Sequence, residues 1–275
     1  MEKIKVAIIG QGRSGRNIHG EYFKSDDNAN YEVVAVVEAD EFRRNNALKE
    51  YPNCKVYADY TELFGVEGID LVVNASFSEM HYYITKDLLT RGFNVLVEKP
   101  MGRTYFECTD LIKTAKDNNV TLAVFQQSFL APHYIHAKDV VASGKPVVDV
   151  EVSSNDAFSP FKIKLQGTRG TYSCILEDYK MKYIVDGENP ERPAIYEFIK
   201  DDNGLPVYCS EQLVSHEEEG KIPGELFSVA SKAFYDMLYA TLTTGAPLKV
   251  TPEQAAMIVN VIAIVHAQNP SPVKI

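Results

Sequence analysis

The sequence predicts a two-part chain: a doubly wound α/β Rossmann part with a parallel sheet, then a smaller α+β part with a mostly antiparallel sheet. Three observations carry this. Up to residue 127, short runs of Val, Ile and Leu alternate with helical patterns, as expected for strands covered on both faces. A glycine-rich turn, GQGRSG at 10–15, separates the first such run from the first helical pattern. Beyond residue 144, strand-like segments are joined by Gly-, Asn- and Asp-containing turns instead of helices. The boundary falls between a dinucleotide-binding part at 1–127 and a substrate and oligomerisation part at 128–275, with the last helix a candidate to pack back on the first part.

In order, strands are expected at 5–10, 31–38, 55–58, 69–76, 94–99 and 120–127, with helices near 13–24, 41–50, 60–65, 79–91 and 104–118. A helix near 132–143 leads into strands at 145–154, 161–167, 171–178, 180–187, 194–200 and 205–213. The segment around His216, followed by three glutamates, reads as a charged loop. Two helices close the chain at about 224–243 and 252–267, the second opened by Thr251 as N-cap with Pro252 in its first turn.

Composition narrows the function. A formal net charge of −10 argues against nucleic acid or an anionic membrane as partner. The N-terminal apolar run reads as a strand and not a signal peptide, and no stretch is long enough to span a bilayer, so a cytoplasmic protein is expected. Cys54, Cys108, Cys174 and Cys209 are scattered and read as reduced thiols. Asn74-Ala75-Ser76 matches a glycosylation sequon but ends a buried strand. No metal site is expected: His133 and His136 share a helix face, and two histidines alone are an incomplete ligand set.

Chemistry concentrates at two places. In GQGRSG, Gly10 permits the tight turn, Gly12 lets a pyrophosphate approach the backbone, and Gly15 lets helix and strand pack closely. Glu38 ends the second strand 23 residues after Gly15, where a carboxylate accepts hydrogen bonds from an adenosine ribose. It would repel a 2′-phosphate, so NAD is preferred over NADP, with Arg43 and Arg44 nearby to soften the preference or simply to face solvent. The second place is Glu98-Lys99-Pro100, two opposite charges and a proline at the end of an apolar strand. An ammonium there could polarise a substrate oxygen and help manage its proton, or belong to a surface ion pair of little consequence.

GQGRSG, Glu38, NASFSEMH and EKP, in this order, resemble the Gfo/Idh/MocA family of NAD(P)-dependent sugar and polyol oxidoreductases. The likeness covers residues 1–144 and resumes weakly at LQGTRGTY (165–172) and PLKVTPEQA (247–255). It implies that Lys99 is the catalytic lysine and that Glu98 lies against the nicotinamide end of the cofactor. It implies too that the loop Ala75–Ser78, with Ser76, runs along the cofactor, and that His81 sits near its ribose or merely opens a helix. Arg13, Ser14 and Gln126 complete the implied cofactor set, and a homo-oligomer through the second-part sheet is implied as well.

The chain also departs from that family. Where a pattern like N-x-R-F-x-P is usual, it has QQSFLAP at 126–132, with Ser128 in the arginine's place. The family's helix bearing an aspartate and a proton-transferring histidine has no counterpart in the 22 residues between Gly144 and Gly167. Three readings therefore stay open: an active dehydrogenase of a sugar, polyol or related hydroxy compound, a non-catalytic NAD(H)-binding protein, and an internally shortened, impaired enzyme.

Overall fold

The computed structural model describes residues 3–143, 163–189, 200–206, 213–224 and 226–268. Two compact units emerge, Met1–Leu130 with Phe227–Ile275, and Ala131–Leu226. The second unit is thus an insertion into the first. Residues 227–275 fall in the first unit; the sequence reading offered this only for the last helix, and it placed the helix before it in the second part.

The first unit is built on six parallel strands in the order β3-β2-β1-β4-β5-β6. They are β1 (Ile4–Ile9), β2 (Tyr31–Val37), β3 (Lys55–Tyr57), β4 (Leu71–Asn74), β5 (Val95–Val97) and β6 (Leu122–Val124). The apolar runs make sense because alternate side chains enter two different cores. Val6, Ile8, Val73 and Leu96 point to a face filled by Tyr22, Phe23 and, from α6 (Leu226–Thr244), Phe234, Tyr235 and Leu238. Ala7, Ile9, Val72 and Val97 point to the other, packed by α3 (His81–Thr90), α4 (Tyr105–Asp117) and α7 (Pro252–Gln268). Leu96 is fully buried in this sheet, and truncating such a side chain to Ala costs about 2–5 kcal/mol.

Helix starts follow their caps. Asp40 accepts the Arg43 N–H at the start of α2 (Glu41–Glu50), and Thr104 accepts the Glu107 N–H at the start of α4. Thr251 and Gln254 exchange hydrogen bonds at the start of α7. The first helical segment is less regular: a π-helical turn, Gly15–His19, runs into α1 (Gly20–Lys24).

In the second unit, α5 (Pro132–Ala142) shares a small core with an antiparallel sheet ordered β10-β9-β8-β7. Its strands are β7 (Ile163–Gly167), β8 (Gly170–Ile175), β9 (Asp178–Tyr183) and β10 (His216–Lys221). Leu165, Tyr172, Cys174, Met181 and Ile222 meet Ala137 and Val140 of α5. β10 corrects the sequence reading of a charged loop. As an edge strand it needs no apolar face of its own, because its glutamates stand opposite the lysines of β9: Glu217 pairs with Lys182, and Glu219 with Lys180. The strand expected at 145–154 lies outside the described residues, as do most of those at 194–200 and 205–213, where one bridge pairs Lys200 with Pro206.

Among the described residues, no helix is long and apolar enough to cross a membrane, and no group of three or more His, Cys, Asp and Glu could hold a metal ion.

Candidate active site

The strand order reverses between β1 and β4, and the loops after these two strands meet. A Cβ on Gly10 (φ +92°) would lie 3.0 Å from the Ala75 carbonyl carbon and closer still to its oxygen. A Cβ on Gly15 would lie 2.9 Å from the Gly10 carbonyl carbon. These two glycines are dictated by packing. Gly12 is different: a Cβ there would meet nothing within 4 Å, and its φ is not positive. Neither packing nor backbone conformation requires glycine at 12, and the space beside it is open to a ligand.

The residues around this space fit a dinucleotide. Exposed Arg13 and half-buried Ser14 stand at the helix start, and the Ser14 side chain makes no capping bond that would occupy it. Free N–H groups and a partial positive charge at such a terminus suit phosphate. Glu38 is held from both sides: Oε2 accepts the Gln11 N–H at 2.8 Å and Oε1 the Asp40 N–H at 3.0 Å. Each carboxylate oxygen keeps a further lone pair for a ribose hydroxyl. Arg43 approaches Glu38 Oε2 at 3.8 Å from an exposed position, while Arg44 Nη1 donates to the carbonyls of Glu38 and Ala39 at 2.6 Å each. Arg44 therefore braces the β2 exit.

Two buried side chains organise the loops after β4 and β5. Asn74 donates to the Thr85 hydroxyl and the His81 carbonyl, and its Oδ1 accepts the Ser76 hydroxyl at 2.7 Å. His81, 2% exposed, spans both loops, with Nδ1 2.7 Å from the Pro100 carbonyl oxygen and Nε2 3.1 Å from that of Ser76. The ring expected near a ribose is thus a clasp between the segment at 75–78 and the end of EKP. Ala75 is buried, whereas Phe77 and Ser78 are exposed beyond it.

Lys99 follows β5 with an exposed side chain, and the Lys99–Pro100 peptide is cis. Among the described residues, no hydrogen bond or ion pair holds its ammonium. Glu98 turns the opposite way. It is 4% exposed, donates its N–H to the Asn74 carbonyl, and accepts the Lys99 N–H on Oε2 at 3.0 Å. The surface ion pair considered from sequence does not form, because acid and ammonium point to opposite sides of the chain. Burial pushes the Glu98 carboxyl up, but His19 and the Lys99 amide and charge outweigh burial and hold it below the usual carboxylate range. At the end of β6, Gln126 carries a buried Oε1 with no hydrogen-bond donor among the described residues.

His136 bonds the Tyr172 hydroxyl at 3.0 Å inside the second unit. Cys54, Cys108 and Cys174 are buried and form no disulfide among the described residues, and Cys209 lies outside them. His19, which from sequence lies only in the first helix beyond the phosphate turn, has its Nε2 3.3 Å from Glu98 Oε1. No local signal could have found this contact.

Gly10, Gly12, Gly15, Glu38 and the Lys99 loop share the carboxyl edge of one doubly wound sheet, and the fold is that of a Rossmann unit. Residues 4–126 match the GFO_IDH_MocA family, described as an oxidoreductase family with an NAD-binding Rossmann fold, and the likeness is to that segment. An uncharacterized oxidoreductase of Schizosaccharomyces pombe is 33% identical over 59% of this chain and 44% of its own length. The scyllo-inositol 2-dehydrogenase (NADP(+)) IolW of Bacillus subtilis is 25% identical over 68% of this chain and 51% of its own. The chain spans about half the length of the curated relatives it matches. Among solved structures, an oxidoreductase from Agrobacterium radiobacter in complex with NAD+, L-tartaric acid and magnesium superposes with a TM-score of 0.71 at 12% identity, covering 98% of each chain. That likeness is one of fold.

Proposed function

We propose that this chain binds NAD(H) and transfers hydride between the nicotinamide and a hydroxy- or keto-bearing carbon of a sugar, polyol or related compound. The observation that carries the reading is the exposed, unpaired Lys99 on a loop locked by buried Glu98 and His81, on the same sheet edge as the Gly12 space. Relatives described as inositol dehydrogenases support the substrate class.

In this reading Gly12 and the helix start hold the pyrophosphate, Glu38 holds the adenosine ribose, and Gln126 offers its unpaired oxygen to an amide. The bound cofactor supplies or accepts the hydride. Lys99 acts on the substrate side: its ammonium polarises the oxygen of the reacting carbon and holds the proton that moves with it. Preorganised charge of this kind acts without reorganisation cost at the moment of transfer. Glu38 favours NAD over NADP by charge, since a 2′-phosphate would face the carboxylate.

Calorimetric titration with NADH and then NADPH, followed by a polyol and sugar screen of the wild-type chain and Lys99→Ala, tests the proposal. Micromolar NADH binding with turnover that Lys99→Ala abolishes is expected. Cofactor binding without turnover on any substrate would favour the second reading, a non-catalytic NAD(H)-binding protein, which the absence of a family-type histidine after Gly144 keeps in view. Association through the four-stranded sheet, which leaves Ile175 and Leu176 exposed, belongs to the same proposal and is read by light scattering.

A further inference from the structure

A chain of buried polar groups runs under the lysine loop, and nothing in the cofactor-binding role uses it. His19, at the end of the π-helical turn, is fully buried. Its Nδ1 lies 2.6 Å from the Tyr235 hydroxyl of α6, and its buried Nε2 lies 3.3 Å from Glu98 Oε1, within ion-pair distance but without an aligned hydrogen bond among the described residues. Phe125 closes one side of the ring at 4.5 Å between centroids. Tyr22, Tyr31 and Tyr51 surround Tyr235 and bring no charge, because burial raises all three phenols. Glu98 completes the chain, and its second oxygen takes the Lys99 N–H at 3.0 Å.

The proton positions follow from the partners. A bare Nε2 lone pair against a carboxylate would repel it, so Nε2 carries the proton toward Glu98. In the neutral ring Nδ1 then accepts from the Tyr235 hydroxyl, which fixes tautomer and ring direction, as the outer partner of a metal-bound or catalytic histidine does. A buried carboxylate is tolerated only when its oxygens are met. Here Oε2 is met by the Lys99 backbone, and Oε1 faces His19 Nε2 at 3.3 Å.

We propose that His19 is a positioning residue for the lysine loop: oriented by Tyr235, it faces Glu98 Oε1, keeps the carboxylate aimed at the Lys99 N–H, and so fixes the direction in which the Lys99 ammonium leaves the end of β5. The catalytic consequence rests on the Lys99-centred function proposed above; the positioning itself does not. Tyr235 lies outside residues 4–126, so the family-matched segment lacks one end of the device.

Backbone amide exchange at Lys99, with the β5 amides as internal reference, tests this on the full chain. In His19→Leu the Lys99 amide is expected to exchange at least tenfold faster while the β5 amides keep their protection. His19→Gln, whose amide can still donate to Glu98, restores the slow rate to within about threefold. If His19→Leu does not fold, the double variant His19→Leu/Glu98→Gln removes the orphaned charge, and its Lys99 amide is expected to stay fast. In a substrate assay His19→Leu lowers kcat at least tenfold with NADH affinity within about twofold. An unchanged Lys99 amide in a folded His19→Leu or double variant, or acceleration of the β5 amides to the same extent, would overturn the proposal. Absence of turnover in the wild type fails the dehydrogenase reading alone, and the exchange rates still decide the role of His19.

Discussion

Gly12 and Gly15 lie three residues apart in one turn, yet substitution should separate stability from binding. In Gly12→Ala the new methyl enters empty space at a φ that alanine accepts. Such a change reduces unfolded-chain freedom and stabilises by about 0.4–1 kcal/mol where nothing clashes. The melting temperature should therefore hold or rise by roughly 1–4 °C. The same methyl stands where a pyrophosphate would approach the backbone. Loss of one charge-assisted hydrogen bond, worth about 1.5–3 kcal/mol, should weaken NADH binding by about tenfold to hundredfold at 1.4 kcal/mol per decade. In Gly15→Ala the methyl falls 2.9 Å from the Gly10 carbonyl carbon, against backbone that cannot swing aside. Overpacking of this kind costs about 1–3 kcal/mol, a fall of roughly 2–10 °C on the same scale. Thermal unfolding and calorimetric NADH titration of both variants give the answer. Wild-type NADH affinity in Gly12→Ala would refute the assignment of that space to the cofactor, and an unchanged melting temperature in Gly15→Ala would refute the packing argument.

Three further outcomes follow from the site. Glu38→Ala removes the acceptor of the Gln11 and Asp40 N–H groups and the charge that opposes a 2′-phosphate, so NADH affinity should fall about tenfold while NADPH affinity rises, read by paired titrations. His81→Ala cuts the clasp between the Ser76 and Pro100 carbonyls, and should weaken cofactor binding and speed proteolytic nicking at 75–80 before it lowers the melting temperature by more than a few degrees. The Glu98 carboxyl is held below its ordinary value, so its contribution to stability is fully present above the unfolded-state pKa of about 4.3 and is lost as pH falls through the lowered folded value. Melting curves from pH 6 downward should show the wild type losing part of its advantage over Glu98→Gln in that acid range, and a gap independent of pH would contradict the assignment.

The Rossmann half was legible because each of its signals is local. A buried parallel strand announces itself as a run such as KVAII, and the phosphate turn as three glycines at fixed spacing. EKP could be placed at a strand end by the same reasoning. What sequence could not supply was direction: nothing in Glu98-Lys99 says that the acid turns into the core and the ammonium out. His19 and Tyr235 were invisible as a pair, since 216 residues separate them and each alone reads as an ordinary core position. His216–Lys221 was missed for the opposite reason. Its partners on β9 are near, but pairing by charge leaves no apolar alternation to detect. The helix α6 was found by its periodicity, yet only packing shows that it completes the first core and not the second.

The insertion of the second unit between Leu130 and Phe227 has a consequence for how such chains can vary. To the first unit, everything between those two residues is a closed loop, and the entropy of closing a loop grows only with the logarithm of its length. Doubling or halving the insert changes that term by about 0.6 kcal/mol. The sheet, the glycine turn and the Tyr235–His19–Glu98 line all close without it. Length in the inserted unit is therefore nearly free thermodynamically, and that unit can be enlarged, trimmed or exchanged while the six-stranded half goes on folding as before.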